Sequence, residues 1–330
     1  MRNPDRPAAC VRPLDGTIAP NEGRRRVRGV IPDGHATPTI RWPATAFAAL
    51  LVFVGSTVLL SNRTAYGKPD EPRVMSLNVC TDQFVLALAD PHQIVSLSYL
   101  ADNPDLSYLH DRARPFAKNH GLAEEVVTSH PDVIVTSTYS RPTESNLLKQ
   151  LGIRLEKFDY TQSLASIPHD IRRMGAILGR EGRAASMAAD LDRDLKRLMT
   201  PPKPGAPGVV AFGQNGIVLG KHTLADSIIR AAGFRNLAAE HGYVGMAPYP
   251  LELLIEDQPD LLLLSKPYDH APALADEVES HPAIAALRST EKYVLPAASW
   301  SCGGPFTLKV LRLLKRLALQ IEHRHRRDKR

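Results

Sequence analysis

Cysteine is scarce in this chain: three in 330 residues, with no C-x-x-C or similar zinc-type pairing among them. The common catalytic signatures are missing too. There is no G-x-S-x-G elbow, no H-E-x-x-H and no Walker loop, and the glycine turns "GQNG" (213–216) and "SCGGP" (301–305) are too short to cradle a phosphate. A cysteine nucleophile at Cys80 or Cys302 needs a base, and the sequence identifies none. Excess charge is absent from the body as well. Much of the net charge of +6 sits in "RRRVR" at 24–28 and "HRHRRDKR" at 323–330. What remains is near neutral, without a basic stripe or aromatic–basic interleaving, which argues against a nucleic-acid surface.

What is present is a globular body: 43% hydrophobic and 23% charged residues can bury a core, and the length suits one large domain or two ordinary ones. One phrase is written twice. Residues 124–137 read "EEVVTSHPDVIVTS" and residues 252–265 read "ELLIEDQPDLLLLS". In each, the residues before Pro have helical spacing, and Pro disfavours the α region in the residue ahead of it, so each helix should stop near His130 and Gln258. The apolar runs that follow are short and turn-bounded, as expected of strands buried on both faces. A recurrence over 128 residues, from Glu124 to Glu252, points to two similar α/β lobes and not to a solenoid.

Residues 1–43 are rich in Pro, Gly and Arg and have no apolar period, so they read as a disordered leader. The apolar run 44–60 follows, then small residues Ala65 and Gly67 at the spacing of a signal-peptidase site. We read 44–67 as a signal peptide, with an uncleaved anchor as the alternative. In either case the arginines on its N-terminal side stay in the cytoplasm and the body is exported to the periplasm. Cys10 falls in the leader, leaving Cys80 and Cys302 in the exported part.

Along the body, strands are expected at 73–78, 93–98, 132–138 and 153–158, with helices between them, the first capped by Thr81-Asp82. This is β-α-β alternation and predicts a mainly parallel sheet. The region 163–200 is helical, with Ile167, Ile171, Met174 and Leu178 on one face and, after Gly179–Gly182, Met187, Leu191, Leu195 and Leu198 on another. It separates an N-terminal lobe (68–162) from a C-terminal lobe (201–321). A solvated basic tail, 322–330, containing His323 and His325, is expected at the end.

Parallel sheets bind ligands beyond the carboxyl ends of their strands. Those ends carry "NVCTD" with Asn78, Cys80 and Thr81, then Tyr99, Tyr139, Tyr268 and "ASWSCGGP" with Trp300, Ser301 and Cys302. Tyr243 lies in the loop "HGYVG". Aromatics are only 6% of the chain, so their collection on one side marks a candidate ligand cleft. His120, in "NHG", reads as a loop-stabilising residue.

The segments "RVMSLNVCTDQFVLALADPHQIVSLS", "AEEVVTSHPDVIVTS", "LLKQLGIRL" and "WSCGGP", in this order over about 72–318, resemble the substrate-binding proteins of ABC importers for iron complexes and cobalamin. The resemblance implies an α/β fold of two Rossmann-like lobes joined by one long helix, and no enzymatic activity. It further implies no intrinsic cofactor, and a ligand that is a ferric siderophore, heme or corrinoid. The partner it implies is an ABC permease dimer with its cytoplasmic ATPase, to which a monomer would dock through one acidic residue per lobe. By motif position those residues are Glu124 and Glu252. The competing functions are a chelatase-like enzyme of related two-lobed build and a membrane-tethered sensor or adaptor. A long helix resists bending, so small lobe movement is expected. A disulfide between Cys80 and Cys302 would lock the lobes and hinder release, so free thiols are expected.

Overall fold

The computed structural model describes residues 71–138, 152–160, 163–265 and 281–328, together with positions 146, 148 and 150. The expected alternation builds the first lobe. Strands β1 (Val74–Ser76), β2 (Ile94–Ser98), β3 (Lys118–Asn119), β4 (Val133–Ser137) and β5 (Arg154–Phe158) lie in the order β3-β2-β1-β4-β5. All pairs are parallel. Helices α1 (Val79–Leu88), α2 (His110–Ala113) and α3 (Ala123–Ser129) make the connections. Successive strand residues point to opposite faces, and both faces are covered: Val74 and Val133 enter one core, Met75 and Ile134 another. The cap of α1 differs from the expected one. Asn78 holds the N-cap, its side chain accepting from the Cys80 N–H at 2.9 Å, while Thr81 and Asp82 lie inside the first turn and are buried.

The helical middle is two helices, α4 (Ile167–Leu178) and α5 (Glu181–Leu198). Gly179 ends α4 in the left-handed conformation (φ 67°, ψ 33°), where glycine carries no Cβ penalty. The helices then pack backbone-close: a Cβ on Gly175 would lie 2.2 Å from that of Ala184. The face Ile167, Ile171, Met174, Leu178 is buried as its spacing predicts. α4 packs on α1 and stays with the first lobe, so the connecting helix is α5.

The second lobe contains β6 (Gly208–Phe212), β7 (Ile217–Leu219), α6 (Leu224–Ala231), β8 (Arg235–Asn236), α7 (Leu237–Glu240), β9 (Met246–Pro248), α8 (Leu251–Asp257), β10 (Leu261–Leu264), α9 (Pro282–Ala286), β11 (Glu291–Val294) and α10 (Thr307–Asp328). The order is β11-β10-β6-β7-β9, with β8 also paired to β6. The three strands β11, β10 and β6 are parallel, and β7 runs antiparallel to both its neighbours, β6 and β9. Leu261 and Leu263 face the core shared with α4, α5 and α10, while Leu262 faces a separate core under α8 and α9. Arg312 of α10 pairs with Asp194 of α5 at 2.9 Å, and Lys315 donates to the Leu198 carbonyl at 2.6 Å. The basic tail is helical, continuing α10 to Asp328, and its residues 323, 324 and 326–328 are exposed. Arg324 pairs with Glu291 at 2.6 Å and His325 with Asp260 at 2.9 Å.

The twice-written phrase folds the same way twice. α3 and α8 each have seven residues and stop at His130 (φ 47°, ψ 56°) and Gln258 (φ 43°, ψ 57°), both left-handed. After each proline the aspartate closes on the central strand of its own lobe. Asp132 Oδ2 accepts from Arg73 N, and Asp260 Oδ2 from Gly208 N, each at 2.7 Å. The return bonds, from Asp132 N to Arg73 O and from Asp260 N to Gly208 O, are 2.9 Å each.

No helix among the described residues is long and apolar enough to cross a membrane. The leader and the 44–67 segment lie outside the described residues.

Candidate ligand cleft

The carboxyl ends of β1 and β2 in one lobe face the loop after β11 in the other. Contrary to the free thiols expected, Cys80 and Cys302 are bonded in a disulfide. Cys80 sits one residue into α1, directly beyond β1, and Cys302 in the loop beyond β11. Their Cα atoms come to 5.0 Å, inside the range a disulfide spans. Further contacts cross between the lobes beside it. The Ala298 N–H donates to the Asp105 carbonyl at 2.9 Å, and the rings of Tyr108 and Phe306 stack at 4.4 Å with an interplanar angle of 8°.

Beside this seam lies a cavity of about 200 Å³. Its floor is the ends of β6 and β10, with Phe212 and Leu263. Its apolar wall is completed by Leu295 and Trp300, and its polar groups are Asp105, Gln214, Ser265 and Ser301. Trp300 is only 9% exposed, so it serves both as cavity wall and as part of the main core. Asp105 is the first lobe's contribution, held in place by its backbone bond to Ala298. Sequence reading missed Asp105, Gln214 and Ser265. The strand-end rule points to Gln214 and Ser265, which follow β6 and β10, whereas Asp105 reaches the cavity only through the tertiary fold.

The other expected contacts are placed differently. Thr81 is buried and turned inward, its hydroxyl donating to the Asn78 carbonyl at 2.9 Å and lying 2.8 Å from Ser76 Oγ. Asn78 and Thr81 therefore build the start of α1 and do not line the cavity. Tyr243 packs on Tyr249 with ring centroids 5.1 Å apart. Its carbonyl would lie 2.3 Å from a Cβ on Gly220 and accepts from the Lys221 N–H at 2.8 Å, so Tyr243 is a packing residue of the second lobe. Tyr99 is 54% exposed at the end of β2, stacked on His120 with centroids 5.1 Å apart. Tyr139 and Tyr268 lie outside the described residues. A Cβ on Gly304 would meet the Phe306 ring at 2.3 Å, so this glycine makes room for that ring.

Below the strand ends Asp82 is fully buried. Burial pushes its carboxyl up to about 6, against the opposing effect of hydrogen bonds from Ser76 and Ser98 and of the Lys118 charge. Farther away, Glu71, Asp90 and His92 approach one another closely enough to suggest a metal site. The Arg180 guanidinium lies between the two carboxylates and pairs with both, so the cluster is an ion-pair network joining the start of the lobe to the α4–α5 turn.

Glu124 and Glu252 are exposed, each the second residue of its helix. Helix capping falls to the neighbour, Glu125, which accepts from the His120 and Leu122 N–H groups at 2.9 and 3.0 Å. Among the described residues neither the Glu124 nor the Glu252 carboxylate has a hydrogen-bond or ion-pair partner. Glu125 takes the capping bonds, while Glu124 and Glu252 each place an unpaired carboxylate in the first turn of a helix, where the macrodipole favours negative charge.

Residues 74–298 match the periplasmic binding protein family. No curated sequence relative matches the chain. Among solved structures, the fold is similar to a periplasmic heme-binding protein of Roseiflexus sp. RS-1 in apo form, with TM-score 0.60, 21% identity, and coverage of 76% of this chain and 98% of that one. The periplasmic heme-binding protein of Vibrio cholerae gives TM-score 0.63, 18% identity and coverage of 75% and 99%. The periplasmic vitamin B12-binding protein of Vibrio cholerae gives 0.59, 19%, and 76% and 98%.

Proposed function

Because the chain belongs to the periplasmic binding protein family, we propose that it captures a bulky metal chelate between its lobes and presents it to the permease of an ABC importer. It works after export, in the periplasm, as a monomer. The observation that carries this reading is the pair Glu124 and Glu252. Two unpartnered carboxylates at the same step of the same motif, on two rigid lobes, suit a partner that offers two equivalent cationic sites, as a symmetric permease dimer does.

Heme and vitamin B12, the ligands of the similar structures, are both large chelates with apolar faces. The Trp300 wall beside the seam and the exposed Tyr99–His120 stack are surfaces that such faces can cover. The protein supplies binding and orientation; any metal arrives with its cargo. Recovery from native periplasm, followed by absorption spectroscopy and mass spectrometry, tests the reading. A co-purifying metal chelate is expected. Protein that arrives empty and fails to bind hemin, cyanocobalamin or a ferric siderophore overturns it.

A further inference from the structure

Among the described residues, the Cys80–Cys302 bond is the covalent tie across the cleft. The contacts beside it, Ala298 with Asp105 and Tyr108 with Phe306, can part and re-form when lobes move. The disulfide cannot. It stands two residues from Trp300, so it fixes the cavity wall to the first lobe. The cavity beside the seam is about 200 Å³, whereas pockets that take drug-sized ligands run to roughly 300–1,000 Å³. A chelate larger than such ligands needs the lobes to spread, and the tie prevents spreading where the cavity would have to widen.

The two cysteines also differ in exposure. Cys302 is 2% exposed, while Cys80 is half-buried at the start of α1. Cys80 is thus the side from which an incoming thiolate would attack. We propose that this disulfide is a redox latch on the cleft, closed when oxidised and opened by a protein dithiol. The proposal takes the size of its ligand from the importer reading, and the lobe movement itself stands independently.

The chemistry balances as thiol–disulfide exchange. A thiolate of the dithiol attacks Cys80 Sγ, the sulfur–sulfur bond breaks, and Cys302 leaves as a thiolate that takes a proton. The second thiol of the reductant, as thiolate, then attacks its own sulfur in the mixed disulfide. Cys80 is released and protonated, and the reductant departs as a disulfide. Two electrons and two protons have passed to the cystine. The reverse exchange with a disulfide oxidant of the compartment, which leaves as its dithiol, restores the bond.

Lobe separation can be read without any ligand. Fluorophores are placed through non-cysteine chemistry at Val127 and Ile255, one exposed position on each lobe, and the distance distribution is recorded for three forms: oxidised wild type, reduced wild type, and Cys80→Ser/Cys302→Ser. A narrow distribution is expected for the oxidised protein and a broader, longer one for the other two. Association of hemin or cyanocobalamin should then be faster by about tenfold or more in the open forms. Identical distributions in all three forms overturn the latch and leave a static staple. Distributions that widen while neither probe binds keep the latch and count against the choice of ligand. Should the double variant not fold, reduced wild type decides the matter alone.

Discussion

Asp260 accepts a hydrogen bond from the Gly208 N–H at 2.7 Å with one carboxylate oxygen and pairs with His325 at 2.9 Å through the other. One side chain thus joins the start of β6 to the last turn of α10. Its counterpart Asp132 makes only the first of these bonds, to Arg73. Hydrogen bonds to a charged acceptor contribute roughly 1.5–3 kcal/mol each, less where water competes. Asp260→Ala should therefore lower stability by about 1–2 kcal/mol, more than Asp132→Ala does. Urea unfolding of the two variants checks the order. Equal effects would mean that the contact with His325 contributes nothing.

Docking makes a different demand on the same motif. Glu124 and Glu252 are exposed and unpartnered, so replacing both with Ala should leave ligand affinity unchanged and shift stability by no more than about 0.5 kcal/mol. Uptake into cells should fall by tenfold or more, because truncating interfacial charges of this kind typically removes a few kcal/mol. Loss of ligand binding in the double variant would place these residues in the fold or the cleft instead.

Most of the frame was legible because it rests on local chemistry. The apolar runs, the proline stops and the 3.6-residue face of α4 each act within a few residues of themselves. The cleft was less legible. Thr81 and Tyr243 stand at or near strand ends, where ligand contacts are sought, but the Thr81 hydroxyl is taken up by Asn78 and Ser76 and the Tyr243 ring packs on Tyr249. The disulfide joins residues 222 apart. Both cysteines were placed correctly at facing strand ends, and the expectation of free thiols came from supposing that function requires an unhindered cleft. Likewise "HRHRRDKR" shows its charge but not its pairing, since the partners of Arg324 and His325, Glu291 and Asp260, lie far away in the chain.

Trp300 serves two purposes, and a test must separate them. Trp→Ala in a buried site typically destabilises by about 3–5 kcal/mol through the cavity it leaves, so a weaker-binding Trp300→Ala protein would be ambiguous. Trp300→Phe keeps most of the packing. It should melt close to wild type and bind the native chelate several-fold more weakly. Tyr99 is the cleaner probe, since its ring is exposed and Tyr99→Ala has little packing to lose. An unchanged affinity in both variants would remove aromatic contacts from the model of the cleft.

Asp82 should give the stability of the first lobe a pH dependence of unusual sign. Its carboxyl titrates near 6 in the folded chain, raised chiefly by burial from an ordinary value of 3.8. Between these values the unfolded chain has released the proton and the folded chain retains it. Stability therefore falls as pH rises through this window, and the loss is complete above the folded value. A shift of about two units corresponds to roughly 3 kcal/mol at most, since each unit is worth about 1.4 kcal/mol. Asp170, also raised by burial, adds a contribution of the same sign. Unfolding free energies at about pH 5 and about pH 7 should thus show a decrease for wild type. Asp82→Asn carries no titrating proton and can still accept from the Ser98 N–H, so it should lose most of that decrease and keep the part due to Asp170. A variant whose pH profile matches wild type would mean that Asp82 titrates in the folded protein as it does in the unfolded one.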